Sequence, residues 1–150
     1  MVSTYLAIMD QFLDWLSIFK LPKDNSDEVI KILRGYFANW GIQKEASTDG
    51  EKNFVSEKLK DFLSRMGVKC RQSTAYNATS NKRAEVAVKT AKRLVMEHTN
   101  AKHELDSDGL LRALIENCST PNSVTGLSPA NVVFGREIKG FCHCQRSVAN

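Results

Sequence analysis

No stretch of this sequence is apolar for long enough to cross a bilayer. The most apolar one, Tyr5 to Phe19, is interrupted by Asp10 and Asp14 and is too short for a membrane helix. No basic segment precedes it, so a signal peptide is not expected there. The 4 cysteines, Cys70, Cys118, Cys142 and Cys144, show no framework spacing, which implies reduced thiols in an intracellular protein. Cys142-His143-Cys144 lacks both the C-x-x-C spacing and a second ligand pair, so a zinc site is not expected. His98 and His103 stand in no ligand pattern either. Internal repeats and low-complexity segments are absent.

What remains is an ordinary globular composition, 42% apolar and 25% charged over 150 residues, enough for one domain with a real core. The net charge of +4 is a weak hint of an acidic partner. Its distribution says more. Residues 82–93 carry Lys82, Arg83, Lys89, Lys92 and Arg93 against the single acid Glu85. Such a run is ordinarily a solvated helix face, and nucleic-acid binding is the other reading.

Two short apolar runs, Tyr5–Met9 and Trp15–Phe19, predict an antiparallel hairpin turning at Asp10–Asp14. Asn25, with Glu28 in capping-box position, opens a helix whose stripe is Val29, Leu33, Tyr36, Phe37 and Trp40. Gly41 ends it. A strand is expected from Ile42 to Ser47, then a helix from Ser56 to Gly67 burying Leu59, Phe62, Leu63 and Met66. Val68–Arg71 reads as a short strand and Gln72–Asn81 as a polar loop. A long helix from Asn81 to His98 buries Ala84, Ala87, Val88, Ala91, Leu94 and Val95. A further helix, Asp108–Asn117, buries Leu110, Leu111, Leu114, Ile115 and Cys118. Ser128-Pro129 opens a last one, packed by Val132, Val133 and Phe134 and closed by Gly135. Residues beyond Arg136 read as a tail. Strand–helix–strand–helix alternation after a hairpin gives an α/β fold: a mixed sheet flanked by helices. In such sheets active residues collect at the carboxyl ends of parallel strands, where Asp49 sits.

Asp49 and Glu85, separated by 35 residues, are the candidate pair. Carboxylates converging from a strand end and a helix suit hard divalent cations such as Mg²⁺. Two such ions, roughly 3.5–4 Å apart, stabilise the attacking and leaving oxygens of phosphoryl transfer. On a helical wheel Lys89 and Lys92 lie within roughly 40° of Glu85, placed to hold neighbouring phosphates. Ordinary i,i+4 pairing of Glu85 with Lys89 is the competing explanation.

The residues around the pair form blocks. They are Tyr5-Leu6-x-x-x-Asp10 with Trp15, Ser47-Thr48-Asp49-Gly50 with Phe54, and Tyr76-Asn77-x-x-Ser80-Asn81-x-x-Ala84-Glu85. The last is Thr120-Pro121 with Thr125-Gly126-Leu127-Ser128-Pro129-Ala130 and Phe134-Gly135-Arg136. Together they resemble the catalytic core of retroviral-type integrases, closest to those of Gypsy-like LTR retrotransposons, over residues 4 to 138. The resemblance implies a ribonuclease H-like fold and an Asp, Asp, Glu triad holding Mg²⁺ or Mn²⁺. It implies DNA as partner, both element ends and target DNA, and a homo-oligomer working in the nucleus with no membrane. Asp49 matches the second acid and Glu85 the third, with Tyr76, Asn77, Lys89 and Lys92 at the DNA.

The first acid of that triad lies on a strand upstream of the hairpin, and no match to it is found. Asp10 aligns with an aspartate outside the triad. The resemblance therefore implies a partial core over residues 1–138, missing its central strand, followed by a tail over 139–150. Metal binding is expected to be weakened, and the isolated chain to be marginally stable. Gly50-Glu51-Lys52, Ala78-Thr79 and Lys82 also depart from the family's pattern. A domesticated, non-catalytic module binding DNA or protein is the alternative. A ribonuclease acting on RNA–DNA hybrids is a third reading, disfavoured by the late Thr-Gly-Leu-Ser-Pro-Ala block.

Overall fold

The computed structural model describes residues 3–48, 54–72 and 78–136, with the backbone alone at 72, 78–81, 83 and 84. Its elements follow the expected order. Strands β1 (Thr4–Asp10) and β2 (Trp15–Leu21) form one two-stranded sheet. The connection Gln11–Asp14 is too short for anything but an antiparallel hairpin. Strands β3 (Glu45–Thr48) and β4 (Lys69–Gln72) form a second sheet, parallel, with Glu45 opposite Lys69 and Thr48 opposite Gln72. Among the described residues no strand joins the two sheets. Helices are α1 (Ser26–Trp40), α2 (Glu57–Arg65), α3 (Ala78–Glu97), α4 (Ser107–Ser119) and α5 (Pro129–Phe134).

Contacts divide the chain into two compact units. One holds Phe19–Glu85 with the start of β1. There Asn25 caps α1 by accepting the Glu28 N–H at 3.0 Å, and Gly41 (φ 80°) ends the helix. Ser56 caps α2 by accepting from Leu59 N–H, and its hydroxyl meets that of Ser26 at 2.6 Å. Asp27 and Lys58 form an ion pair between the same helices. The core is aromatic. Phe62 is 0% exposed and stacks on Phe37 with ring centroids 6.2 Å apart, while the Arg34 guanidinium lies 5.5 Å from its ring. Tyr36 stacks on Trp40 and meets Phe19 edge-on.

The other unit holds Ala7–Ile18 and the chain from Val86 onward. Leu16, Ala87, Leu94 and Leu110 are its buried centre, with Ala7, Met9, Ile18 and Leu114 packed against them. The α3–α4 turn is organised by Asn100, whose side-chain Oδ1 accepts from the Lys102 and Glu104 N–H groups, both at 2.9 Å. Asp106 then caps α4 through Gly109 N–H. The Cys118 thiol is buried, and burial pushes its pKa up.

Gly109 has no room for a side chain. A Cβ would stand 2.5 Å from the Asp106 carboxylate and 2.6 Å from the His98 ring. His98 cannot easily retreat, because its Nδ1 is 2.7 Å from the Leu94 carbonyl. Gly109→Ala therefore sets a gain in helix propensity against a disturbed cap. We expect a net loss of about 1 kcal/mol, read as a lower midpoint in urea unfolding.

Several expectations shift. β3 starts at Glu45 rather than Ile42, which is 55% exposed; pairing with β4 and the Arg71–Glu45 ion pair at 3.0 Å set the boundary. The α3 helix starts at Ala78, before the expected Asn81. Leu111 faces outward beside buried Leu110. In α5 the buried residues are Pro129 and Ala130, while Val132 and Phe134 are about half exposed. Among the described residues no helix is long and apolar enough to cross a membrane.

Candidate metal and nucleic-acid site

Glu85 is held by the azimuth of α3. Ala87, Ala91 and Leu94 are buried along one side of the helix. At 100° per residue, Glu85, Lys89 and Lys92 point roughly the opposite way. All three are exposed. Among the described residues none of them forms an ion pair, so the i,i+4 pairing of Glu85 with Lys89 is not made. That pairing does occur further along the same helix, where Arg93 meets Glu97 at 3.6 Å. The lysines nearest Glu85 are thus available to an outside anion, whereas Arg93 is engaged. Lys82, one turn before Glu85, is likewise exposed. Its i−3 spacing was legible in the sequence, and it extends the basic face towards the helix start.

Asp49, Tyr76 and Asn77 lie outside the described residues, as do 139–150 with Cys142-His143-Cys144. The described part of the candidate pair ends at Thr48, the last residue of β3, one position before Asp49. Among the described residues no group of three or more His, Cys, Asp or Glu side chains could hold a metal. The described donor is the single carboxylate of Glu85, which is exposed and, among the described residues, in no ion pair, as suits a hard cation reached from solvent.

Asp10 has a different task. Its Oδ1 accepts from the N–H groups of Phe12 at 2.9 Å and Leu13 at 3.0 Å, closing the hairpin turn. A carboxylate so engaged is a turn residue in the usual Asx manner. Asp10→Asn keeps an accepting oxygen. We expect it to leave the melting temperature nearly unchanged and any Mn²⁺-induced stabilisation unaltered; losing that stabilisation would make Asp10 a ligand.

The late sequence block also has a structural explanation. Gly126 takes φ 70°, Ser128 caps α5 in a reciprocal capping box with Asn131, and Pro129 occupies the first turn. Asn122, unread in the sequence, ties this loop down by accepting from Val124 N–H at 2.8 Å and donating to Asp14 at 3.4 Å. Trp15 meets Phe134 edge-on at 5.9 Å. Thr125-Gly126-Leu127-Ser128-Pro129-Ala130 thus forms a turn, a cap and a buried foot.

No model of a known protein family matches the chain. It is 26% identical over 132 residues to the Pol polyprotein of feline endogenous virus ECE1, covering 87% of this chain and 12% of that polyprotein. It is 27% identical over 132 residues to the Gag-Pol polyprotein of baboon endogenous virus (strain M7), covering 87% of this chain and 8% of that one. The chain thus spans about a tenth of the length of these relatives. In structure it is similar to the simian T-cell lymphotropic virus intasome solved with PP2A regulatory subunit B56 gamma. That match has a TM-score of 0.72 and 16% identity, over 91% of this chain and 50% of the other. It is also similar to the catalytic core domain of BIV integrase, with TM-score 0.69 and 12% identity over 99% and 91% of the two chains. The fold is that of a retroviral integrase catalytic core, ribonuclease H-like.

Proposed function

We propose that this chain is a core segment of an LTR-retrotransposon integrase of the Gypsy-like kind, acting on DNA in the nucleus. The observation that carries the reading is the α3 face: Glu85, Lys89 and Lys92, exposed and, among the described residues, without ion pairs, on a helix of an integrase-core fold. The sequence blocks around Asp49 and Tyr76 support the same family, and the Gypsy-like assignment rests on them.

In this reading Asp49 and Glu85 hold Mg²⁺ or Mn²⁺. The ion would polarise the scissile phosphate and favour an oxygen nucleophile beside it. Lys89 and Lys92 neutralise flanking phosphates, and Tyr76 and Asn77 lie along the DNA. Phosphate contacts of this kind fix register without reading sequence. Two carboxylates bring a charge of −2 to a site that two divalent cations would share, so binding is weak and catalysis incomplete in this chain alone. A homo-oligomer on DNA belongs to the same reading, and the likeness to an intasome supports it.

The test is strand transfer with duplex element-end DNA and Mn²⁺, alongside binding of the same DNA. We expect binding that weakens steeply with salt, and no joined product. Robust joining that Glu85→Gln abolishes would overturn the incompleteness; absence of DNA binding would overturn the function. The second reading, a domesticated non-catalytic module, rests on the departures from the family's pattern at Gly50-Glu51-Lys52, Ala78-Thr79 and Lys82. It predicts DNA binding indifferent to EDTA, whereas a metal held between Asp49, Glu85 and a phosphate makes binding EDTA-sensitive.

A further inference from the structure

Position 82 is one of the places where this chain departs from the pattern of the family it resembles. Helix α3 begins at Ala78, so Lys82 stands inside it, in the second turn, with its side chain exposed. At 100° per residue it projects within about 60° of Glu85, on the side turned away from buried Ala87, Ala91 and Leu94. Nothing in the helix itself accounts for a cation there. A lysine placed before a glutamate is the poorer order for pairing along a helix. Among the described residues Lys82 and Glu85 form no ion pair, and Lys82 makes no hydrogen bond or ring contact. α3 also carries no acid in its first turn and no base in its last, so its charges are not laid out to suit the helix macrodipole.

We propose that Lys82 is a third phosphate-holding residue, gripping the DNA on the opposite side of Glu85 from Lys89 and Lys92. The rise along α3 sets the order. Lys82 lies about 4.5 Å before Glu85, and Lys89 and Lys92 lie about 6 Å and about 10.5 Å after it. A phosphate drawn to a metal at Glu85 therefore has one cation before it and two beyond it along the helix. The three lysines spread over about 15 Å of helix axis, a length in which one DNA strand advances by about four nucleotides. Lys82 and Lys92 thus reach different phosphates. Such contacts fix register without reading bases, so Lys82 adds affinity and helps set where the duplex lies, whatever its sequence. The proposal rests on the DNA-binding reading above and gives position 82 a contact that belongs to this chain, not to the family's pattern.

The whole chain is tested for binding to duplex element-end DNA over a range of salt, with ethylation interference on the same complexes. Lys82→Gln removes the charge and keeps the helix propensity. It should flatten the slope of log affinity against log salt by about 0.9 and weaken binding about five- to tenfold at about 0.15 M salt. Lys82→Arg should keep both. The phosphates whose ethylation ceases to matter in Lys82→Gln should differ from those lost in Lys89→Gln. The melting temperature of Lys82→Gln should match that of the unaltered chain; a clear fall would make Lys82 a structural residue and sink the proposal. A slope unchanged by Lys82→Gln would overturn the third contact while leaving the DNA reading intact. Interference lost at the same phosphates as in Lys89→Gln would overturn its placement across Glu85. An unaltered chain that does not bind DNA would remove the reading itself, and the proposal with it.

Discussion

Phe62→Ala is expected to cost about 3–5 kcal/mol, the largest effect of any single substitution considered. The side chain is fully buried, stacked on Phe37 and capped by the Arg34 guanidinium. Its removal loses transfer free energy and leaves a cavity beside the Phe37 ring, which close packing keeps from collapsing fully. It also strips Arg34 of its cation–π partner, worth about 0.5–1 kcal/mol at an exposed site. Domains of this size are stabilised by about 5–15 kcal/mol, so the loss takes a large share. The expected readout is a large fall in urea midpoint, with hydrogen-exchange protection lost first in α1 and α2. Because Phe62 belongs to the unit of Phe19–Glu85, the α4 amides should keep more of theirs. Uniform loss throughout the chain would mean the two units unfold as one.

The second large effect concerns DNA. With both Lys89 and Lys92 changed to Gln, two phosphate contacts are expected to disappear. The slope of log affinity against log salt should flatten by about 1.8, at roughly 0.9 per neutralised phosphate. At low salt this amounts to a loss of roughly ten- to a hundredfold, uniform across DNA sequences. Arg93→Gln is the internal control. Arg93 is already engaged by Glu97, so its replacement should change the slope much less. Equal slopes for the double variant and the unaltered chain would remove α3 from the DNA surface.

Local signals in the sequence were reliable where a residue type has one physical use. Asn25, Ser56 and Ser128 cap helices because their side chains reach N–H groups the helix leaves unpaired. Gly41, Gly67 and Gly135 end or follow helices because each takes a positive φ. The hairpin was legible from two apolar runs around Asp10 and Asp14. Where tertiary context decides, local pattern and structure part. Ile42 looks like the start of a strand, but the partner strand fixes that boundary at Glu45. Leu111 looks like core, but burial belongs to its neighbour Leu110. Asn100 and Asn122 act through loop shapes that no short pattern announces. Of the site, the α3 face was legible from helical periodicity alone, since buried alanines dictate where Glu85 must point. The carboxylate expected across from it follows β3 and lies outside the described residues.

The alanines of α3 also bear on how this chain can change over time. Ala87, Ala91 and Leu94 fix the rotation of the helix, and Glu85 is only two residues upstream of the first of them. A single-residue insertion or deletion between Glu85 and Ala87 would turn the carboxylate by about 100° relative to that core. The lysines downstream, still in register with the alanines, would stay where they are. Composition and helicity would survive such an event, but the acid and its phosphate-holding neighbours would no longer share a face. The length of this short connection is therefore under a tighter constraint than the identity of its exposed residue, Val86.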